Sequence, residues 1–380
     1  MAEPLGMQTV LTHHLQQYQH HHRLSPIQGK VCHRIGLCRT TALGGQRVRC
    51  DHCGFEQQRY HSCRNRHCPK CQYKASQQWC DKQRQQVLPV NYFHVVFTLP
   101  HAINPWVQCH PEVIYRCLFQ SVWHTIQTFG QDPKRLNGHM GMTAVLHTWG
   151  QNLSQHMHLH CLIPGGALSQ DQSQWRPARS NYLFPVKALS RAFRGTMVSA
   201  LRHAYRNGEL HRLNGEEVAQ RLDALMQQDW VVYSKAYLKK ADTIVRYLGR
   251  YTHKIAISDA RIKGISDAHV TFGYKDYRDG KDKVMRLDGE EFIRRFLLHV
   301  LPEGLMRIRH YGFLSNRMRK QKLETIRACL QAPVQAASGE QALAPEVPRL
   351  SASALCACPK CHSGHLRVCF EIPAKPGWSR

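Results

Sequence analysis

Gln155-His156-Met157-His158-Leu159-His160-Cys161-Leu162-Ile163-Pro164-Gly165-Gly166 is the stretch that decides how this chain is read. Met157, Leu159, Cys161 and Ile163 alternate with His156, His158, His160 and Leu162, and a period of two sends the two sets to opposite faces of a strand. One face therefore carries three imidazoles in a row, a pattern suited to a metal ion. Pro164-Gly165-Gly166 ends the strand abruptly and leaves the histidines where a ligand can reach them.

Strands flank it. Asn91 to Pro100 is rich in β-branched and aromatic residues and reads as a buried strand, and Met142 to Trp149 reads as another. The short polar link Gly150-Gln151-Asn152 makes that second strand an antiparallel neighbour of the histidine strand. Pro111 to Phe129 reads as a helix from the spacing of Val113, Ile114, Cys117, Leu118 and Val122. Helices are also expected over Arg191 to Gly208 and Glu216 to Gln228, with a strand at Trp230 to Tyr233. Asp279-Gly280 sets a hairpin between Val270–Tyr277 and Lys283–Leu287. Asp288 with Glu291 suggests a capping box for a helix over Gly289 to Leu301.

The 380 residues carry 52 Lys plus Arg against 26 Asp plus Glu, a net charge of +26. Such an excess marks a protein that meets a polyanion, most often nucleic acid. No apolar run approaches a spanning helix and no signal-peptide pattern opens the sequence, which points to a cytoplasmic, nucleoid-associated protein and away from a membrane.

Sixteen cysteines without a secretion signal point to metal binding over disulfides. Cys50-x-x-Cys53 and Cys68-x-x-Cys71 are two knuckles whose four thiolates would close one zinc tetrahedron, with Cys63 and His67 near enough to substitute. Arg64, Arg66, Lys70 and Lys74 around the second knuckle would face phosphates. Cys358-x-x-Cys361 is a third knuckle, with Cys356, His365 and Cys369 as candidate partners. Ala332 to Ser353 has a linker's composition. The expected organisation is a zinc-binding, DNA-binding domain over 1–88, a catalytic domain over 89–322, a linker over 323–355 and a knuckle over 356–380.

A second segment carries chemistry. In Arg246-Tyr247-Leu248-Gly249-Arg250-Tyr251-Thr252-His253-Lys254 the tyrosines stand one helical turn apart, with Lys254 further along the same side and Arg246 and Arg250 in a parallel basic row. Packing against a core would explain two such tyrosines. Gly249 between them costs a helix about 1 kcal/mol relative to Ala, which a purely structural helix would not favour. Arg307 to Lys320, with Arg309 and Arg317, interleaves aromatics with cations in the way single strands are gripped.

His158-Leu159-His160 resembles the HUH motif (histidine, hydrophobic, histidine) of rolling-circle endonucleases. Tyr247 to Lys254 resembles their tandem-tyrosine motif, and Phe97-Thr98-Leu99 the strand motif that precedes HUH. With the knuckle Cys63 to Cys71, Tyr247 to Ser258 and Arg309 to Arg317, the layout is similar to transposases of the insertion sequence 91 family across nearly the whole chain. The resemblance implies an α+β fold: an antiparallel sheet flanked by helices, preceded by a small zinc-binding domain. It implies a divalent ion, Mg²⁺ or Mn²⁺, on His158 and His160, with His156 on the right face as third ligand and Gln151, Gln155 and His147 as rivals. Tyr247 and Tyr251 would be nucleophiles forming a 5′-phosphotyrosine link to single-stranded DNA at element ends and target, with Lys254 neutralising the scissile phosphate or the phenolate. No nucleotide cofactor is implied. A plasmid replication initiator or relaxase would share this chemistry, while a non-enzymatic zinc-dependent nucleic-acid binder leaves the histidines and tyrosines unused.

Overall fold

The computed structural model describes residues 5–179, 182–237, 249, 255–276, 278–330 and 356–375. The chain opens with helices α1 (Met7–His21) and α2 (Pro26–Gly36), the latter begun by a capping box in which Ser25 and Gln28 serve each other's backbone N–H groups. Strands β1 (Gly45–Cys50) and β2 (Glu56–Tyr60) form a hairpin, and α3 (Pro69–Arg84) starts directly on Cys68 with Pro69 in its first turn.

The centre follows: β3 (Tyr92–Thr98), α4 (Asn104–Cys109), α5 (Pro111–Gln131), β4 (Gly138–His139), β5 (Gly141–Trp149) and β6 (Gln155–Pro164). Next come β7 (Gly166–Ser169), β8 (Trp175–Pro177), α6 (Val186–Arg206), α7 (Gly215–Gln227) and β9 (Val232–Tyr237). Beyond lie β10 (Ile262–Ile265), β11 (His269–Lys275), β12 (Asp282–Asp288), α8 (Gly289–Leu297), β13 (Ile308–Gly312), α9 (Arg319–Cys329), β14 (Cys356–Ala357) and β15 (His365–Ile372).

The middle of the molecule is a sheet in the order β13-β5-β6-β3-β9, antiparallel at every join. The fold is α+β. Met157, Leu159, Cys161 and Ile163 of β6 and Phe93, Val95 and Phe97 of β3 are buried on one face. There they meet α5 and α6, whose Leu118, Val122, Ile126, Phe193 and Met197 recur at helical spacing. Phe97 and Phe193 pack edge to face with ring centres 5.1 Å apart. The opposite face carries the even-numbered residues, among them His94, His158, His160 and Leu162.

Three expectations about organisation change. A second core joins α1 and α2 to β11 and α8 through Met7, Val10, Ile35, Phe272, Phe292 and Phe296, so residues 262–297 share an interior with the N-terminal helices. The helix α9 runs past residue 322, because Leu323 and Ile326 are buried with Leu88, Leu168 and Phe313. The knuckle at 358–361 is no separate unit: β15 pairs with β1 from Gly45↔Ile372 to Cys50↔Leu366, completing a sheet in the order β14-β15-β1-β2.

The hairpin β11–β12 forms as expected. The capping box at Asp288 does not: its side chain makes no cap, and Glu291 turns to Arg294 and Arg295 at 2.6 Å each. An ion pair with two guanidiniums competes better for that carboxylate than one backbone N–H.

Candidate active site and metal centres

Three imidazoles converge on the face of β6 turned away from α5 and α6. The ligand atoms of His147, His158 and His160 all lie within 4.8 Å of one another. The third member is His147, where the sequence suggested His156. His147 is paired directly with His158 across the β5–β6 hairpin, and its ring centre lies 5.4 Å from that of His158 and 4.5 Å from that of His160. A cross-strand partner faces both histidines, whereas His156 sits further along the strand and tilts against His101, ring centres 5.3 Å apart. Gln155, another rival, is engaged by Gln108 at 2.9 Å.

His158 and His160 are each oriented by a further contact. Nδ1 of His158 lies 2.9 Å from the His156 carbonyl oxygen, which only accepts, so Nδ1 carries the proton and Nε2 keeps its lone pair. Nδ1 of His160 lies 2.9 Å from Nε2 of His94, with the two rings stacked. Burial pushes His94 down to about 4, so it stays neutral. Such outer contacts fix the tautomer and direction of metal-binding imidazoles. Three imidazole nitrogens gathered in this way, two of them oriented through their second nitrogens, fit a divalent first-row ion.

Tyr247, Tyr251, Lys254, Arg246 and Arg250 lie outside the described residues. Gly249 is described, and its carbonyl accepts a hydrogen bond of 3.0 Å from Ser76 of α3. A Cβ on Gly249 would stand 2.5 Å from Cys80 Sγ, so close approach to α3 requires glycine there. The same helix brings Trp79 against Tyr92 and Leu162, both on the histidine face of the sheet. An open cleft of about 930 Å³ at the β13 edge of the sheet is lined by Trp79, Arg116, Arg309, His310, Asn316 and Arg319, with Glu112 and Glu303.

The cysteines group differently from the sequence reading. Cys68 and Cys71 join Cys38 and Cys63, while Cys50 and Cys53 join Cys358 and Cys361. The single tetrahedron expected from Cys50, Cys53, Cys68 and Cys71 is therefore divided between two clusters. In the first, Cys71 Sγ lies 3.6 Å from Cys38 Sγ and 3.7 Å from Cys63 Sγ. A Zn–S bond of about 2.3 Å puts sulfurs about 3.8 Å apart on a tetrahedron, so these four thiols suit zinc. The Cys63 thiol draws Cys38 down to about 7. His67, which seemed able to replace a cysteine, is buried and instead meets the Leu301 N–H at 3.4 Å.

Several basic and aromatic residues have structural work. Arg66 donates to the carbonyls of Pro302 and Leu305, at 2.5 Å each, and Lys70 reaches Gln8. Arg309 lies 4.1 Å over the Phe119 ring centre, Tyr311 stacks on Trp123, and Phe313 is buried, so the aromatics of 307–320 face protein. Arg64 and Arg317 are exposed. Among the described residues no helix is long and apolar enough to cross a membrane.

Residues 141–322 match the family described as "Putative transposase", and residues 10–99 match "Transposase zinc-binding domain". A chain from Sinorhizobium fredii named "Putative transposase y4qJ" is 44% identical over 93% of this chain and 91% of its own length. The "Transposase for insertion sequence element IS801" of Pseudomonas savastanoi pv. phaseolicola is 26% identical over 81% of this chain and 75% of its own. No solved structure matches. With a zinc-binding module leading into a transposase domain, and a relative of this similarity along nearly its whole length, the chain belongs to the transposases of the insertion sequence 91 family.

Proposed function

We propose that this transposase cuts and rejoins single-stranded DNA through a tyrosine ester, with His147, His158 and His160 holding a divalent ion. The observation that carries the reading is the convergence of these three imidazoles on one face of the central sheet. Its support is the contact of Gly249, between the two tyrosines, with the helix that crosses that face. Mn²⁺ suits three imidazoles better than Mg²⁺, which prefers oxygen ligands and its own water. Bound there, the ion would supply Lewis-acid polarisation of a phosphate oxygen.

The remaining chemistry belongs to the chain. A phenolate oxygen of Tyr247 or Tyr251 attacks phosphorus, the bond from phosphorus to the 3′ oxygen breaks, and the 5′ end is left esterified to tyrosine. The phenol loses a proton and the departing 3′ oxygen gains one, so the step is neutral in protons. Lys254 offsets charge on the phosphate or phenolate. Because the ester conserves the energy of the broken bond, a later attack by a 3′-OH rejoins DNA with no nucleotide cofactor. Arg319 lines the cleft and offers a cation to a backbone phosphate, while Arg116 pairs with Glu209 and Arg309 lies over Phe119.

Incubation with single-stranded DNA from the element's ends and Mn²⁺ should give a covalent protein–DNA adduct on denaturing gels, abolished by Tyr247→Phe with Tyr251→Phe and by His158→Ala with His160→Ala. Adduct formed undiminished by the double tyrosine variant would refute the nucleophile assignment. Nicking confined to a plasmid origin would turn the reading toward a replication initiator.

A further inference from the structure

We propose that Cys50, Cys53, Cys358 and Cys361 hold a zinc ion of their own, closing a zinc ribbon whose two knuckles come from segments about three hundred positions apart in sequence. The match to the zinc-binding family ends at residue 99 and contains only half of this cluster.

The sulfurs are already placed for a tetrahedron. Cys50 Sγ lies 3.8 Å from Cys361 Sγ, and Cys53 Sγ lies 3.7 Å from Cys358 Sγ. These separations match the edge set by Zn–S bonds of about 2.3 Å and greatly exceed a disulfide bond of about 2.05 Å. Both knuckles turn backbone N–H groups onto sulfur. His52 and Cys53 donate to Cys50 Sγ at 3.4 Å, Lys360 to Cys358 Sγ at 3.4 Å, and Gly364 to Cys361 Sγ at 3.3 Å. Such donors favour thiolate, the form that binds metal.

The sheet explains why the knuckles meet. One knuckle is the turn of the β1–β2 hairpin and the other lies between β14 and β15, and the antiparallel pairing of β1 with β15 puts both turns at one end. Asp51 clamps the junction, accepting from the His365 N–H at 2.8 Å and from Arg367 at 3.1 Å. Gly364 passes so close that a Cβ there would stand 2.5 Å from Cys50 Sγ. Four strands carry few apolar side chains at this end: Val48, Cys50, Cys358 and Leu366 are its buried core. A cluster that small needs a metal to hold it.

The test is metal content of the full chain purified under reducing conditions, by elemental analysis. The wild type should carry two zinc ions per chain, and Cys358→Ser with Cys361→Ser should carry one, as should Cys38→Ser with Cys63→Ser. A second measurement does not depend on variants folding: a specific protease site placed within residues 340–350 of the otherwise native sequence is cut, and the product is chromatographed with and without chelator. The downstream piece should stay with the body until zinc is stripped. One zinc in the wild type with no loss in the Cys358/Cys361 variant, release of the piece before chelation, or recovery of these cysteines as disulfides under reducing conditions each overturns the proposal.

Discussion

His94 Nε2 stands 2.9 Å from His160 Nδ1 on neighbouring strands, and the two rings stack with centres 5.1 Å apart. If His160 offers Nε2 to a metal, its Nδ1 must carry the proton and His94 must accept it. Removing such a partner usually weakens metal affinity ten- to a hundredfold. His94→Ala should therefore raise the Mn²⁺ concentration for half-maximal adduct formation by roughly that factor, while adduct at saturating Mn²⁺ approaches wild type. An unchanged Mn²⁺ requirement would mean the ring pair serves only packing.

The contact of Gly249 with α3 makes a paired prediction. Gly249→Ala pushes a methyl group into Cys80 Sγ and should strongly reduce DNA cleavage, although alanine favours a helix. Adding Cys80→Ala removes the sulfur and should restore most of the lost activity. Failure of the second change to rescue the first, in a folded protein, would show that Gly249 is needed for another reason.

Arg66 tests whether a basic residue beside a knuckle grips DNA or the protein. Its guanidinium satisfies carbonyls in the turn after α8, so Arg66→Ala should cost on the order of 2 kcal/mol in denaturant unfolding. The salt slope of DNA binding should stay as it was, since no phosphate contact is lost. A shallower salt slope at unchanged stability would return Arg66 to the DNA interface.

Two buried histidines set an acid limit. Burial lowers His299 to about 4, where Thr148 and the Leu153 carbonyl hold it, and lowers His310 to about 4 beside Thr143. Above pH 6.5 both are neutral folded or unfolded and pH has no effect through them. Between pH 6.5 and 4 the unfolded chain binds protons that the folded chain does not, so stability falls as pH falls. For His299 the loss from pH 7 to pH 4 is on the order of 3 kcal/mol. His299→Gln should flatten that part of the profile in denaturation curves, and an unaltered slope would count against the assignment.

Local pattern carried far in this sequence because the central strands bury one face and the period of two is clean. The β6 alternation, the β5–β6 pairing, the α5 stripe and the β11–β12 hairpin all follow from neighbours within a few residues. What depended on distant partners was not legible. His147 was among the candidates for the third position, but what singles it out is cross-strand register, which a one-residue slip would undo. The cysteine partners follow from the pairing of β1 with β15, and no spacing within a knuckle encodes which other knuckle it meets. Phe313 and Tyr311 looked like base-stacking groups because aromatics among cations have the same composition whether they face a strand of DNA or Leu88 and Trp123. Asp288 and Glu291 had the spacing of a capping box, but Arg294 and Arg295 took the carboxylate.

The pairing of β1 with β15 also puts a clock on the molecule. Cys53 and Cys358 are 305 positions apart, and at about 5–20 residues per second a ribosome needs roughly 15–60 s to make what separates them. Throughout that interval the β1–β2 hairpin stands with an open edge, which among the described residues is filled by 365–372. A gene copy that stops or shifts frame anywhere before residue 365 yields a protein whose leading sheet is never finished, so the fold reads whether its own message was translated through.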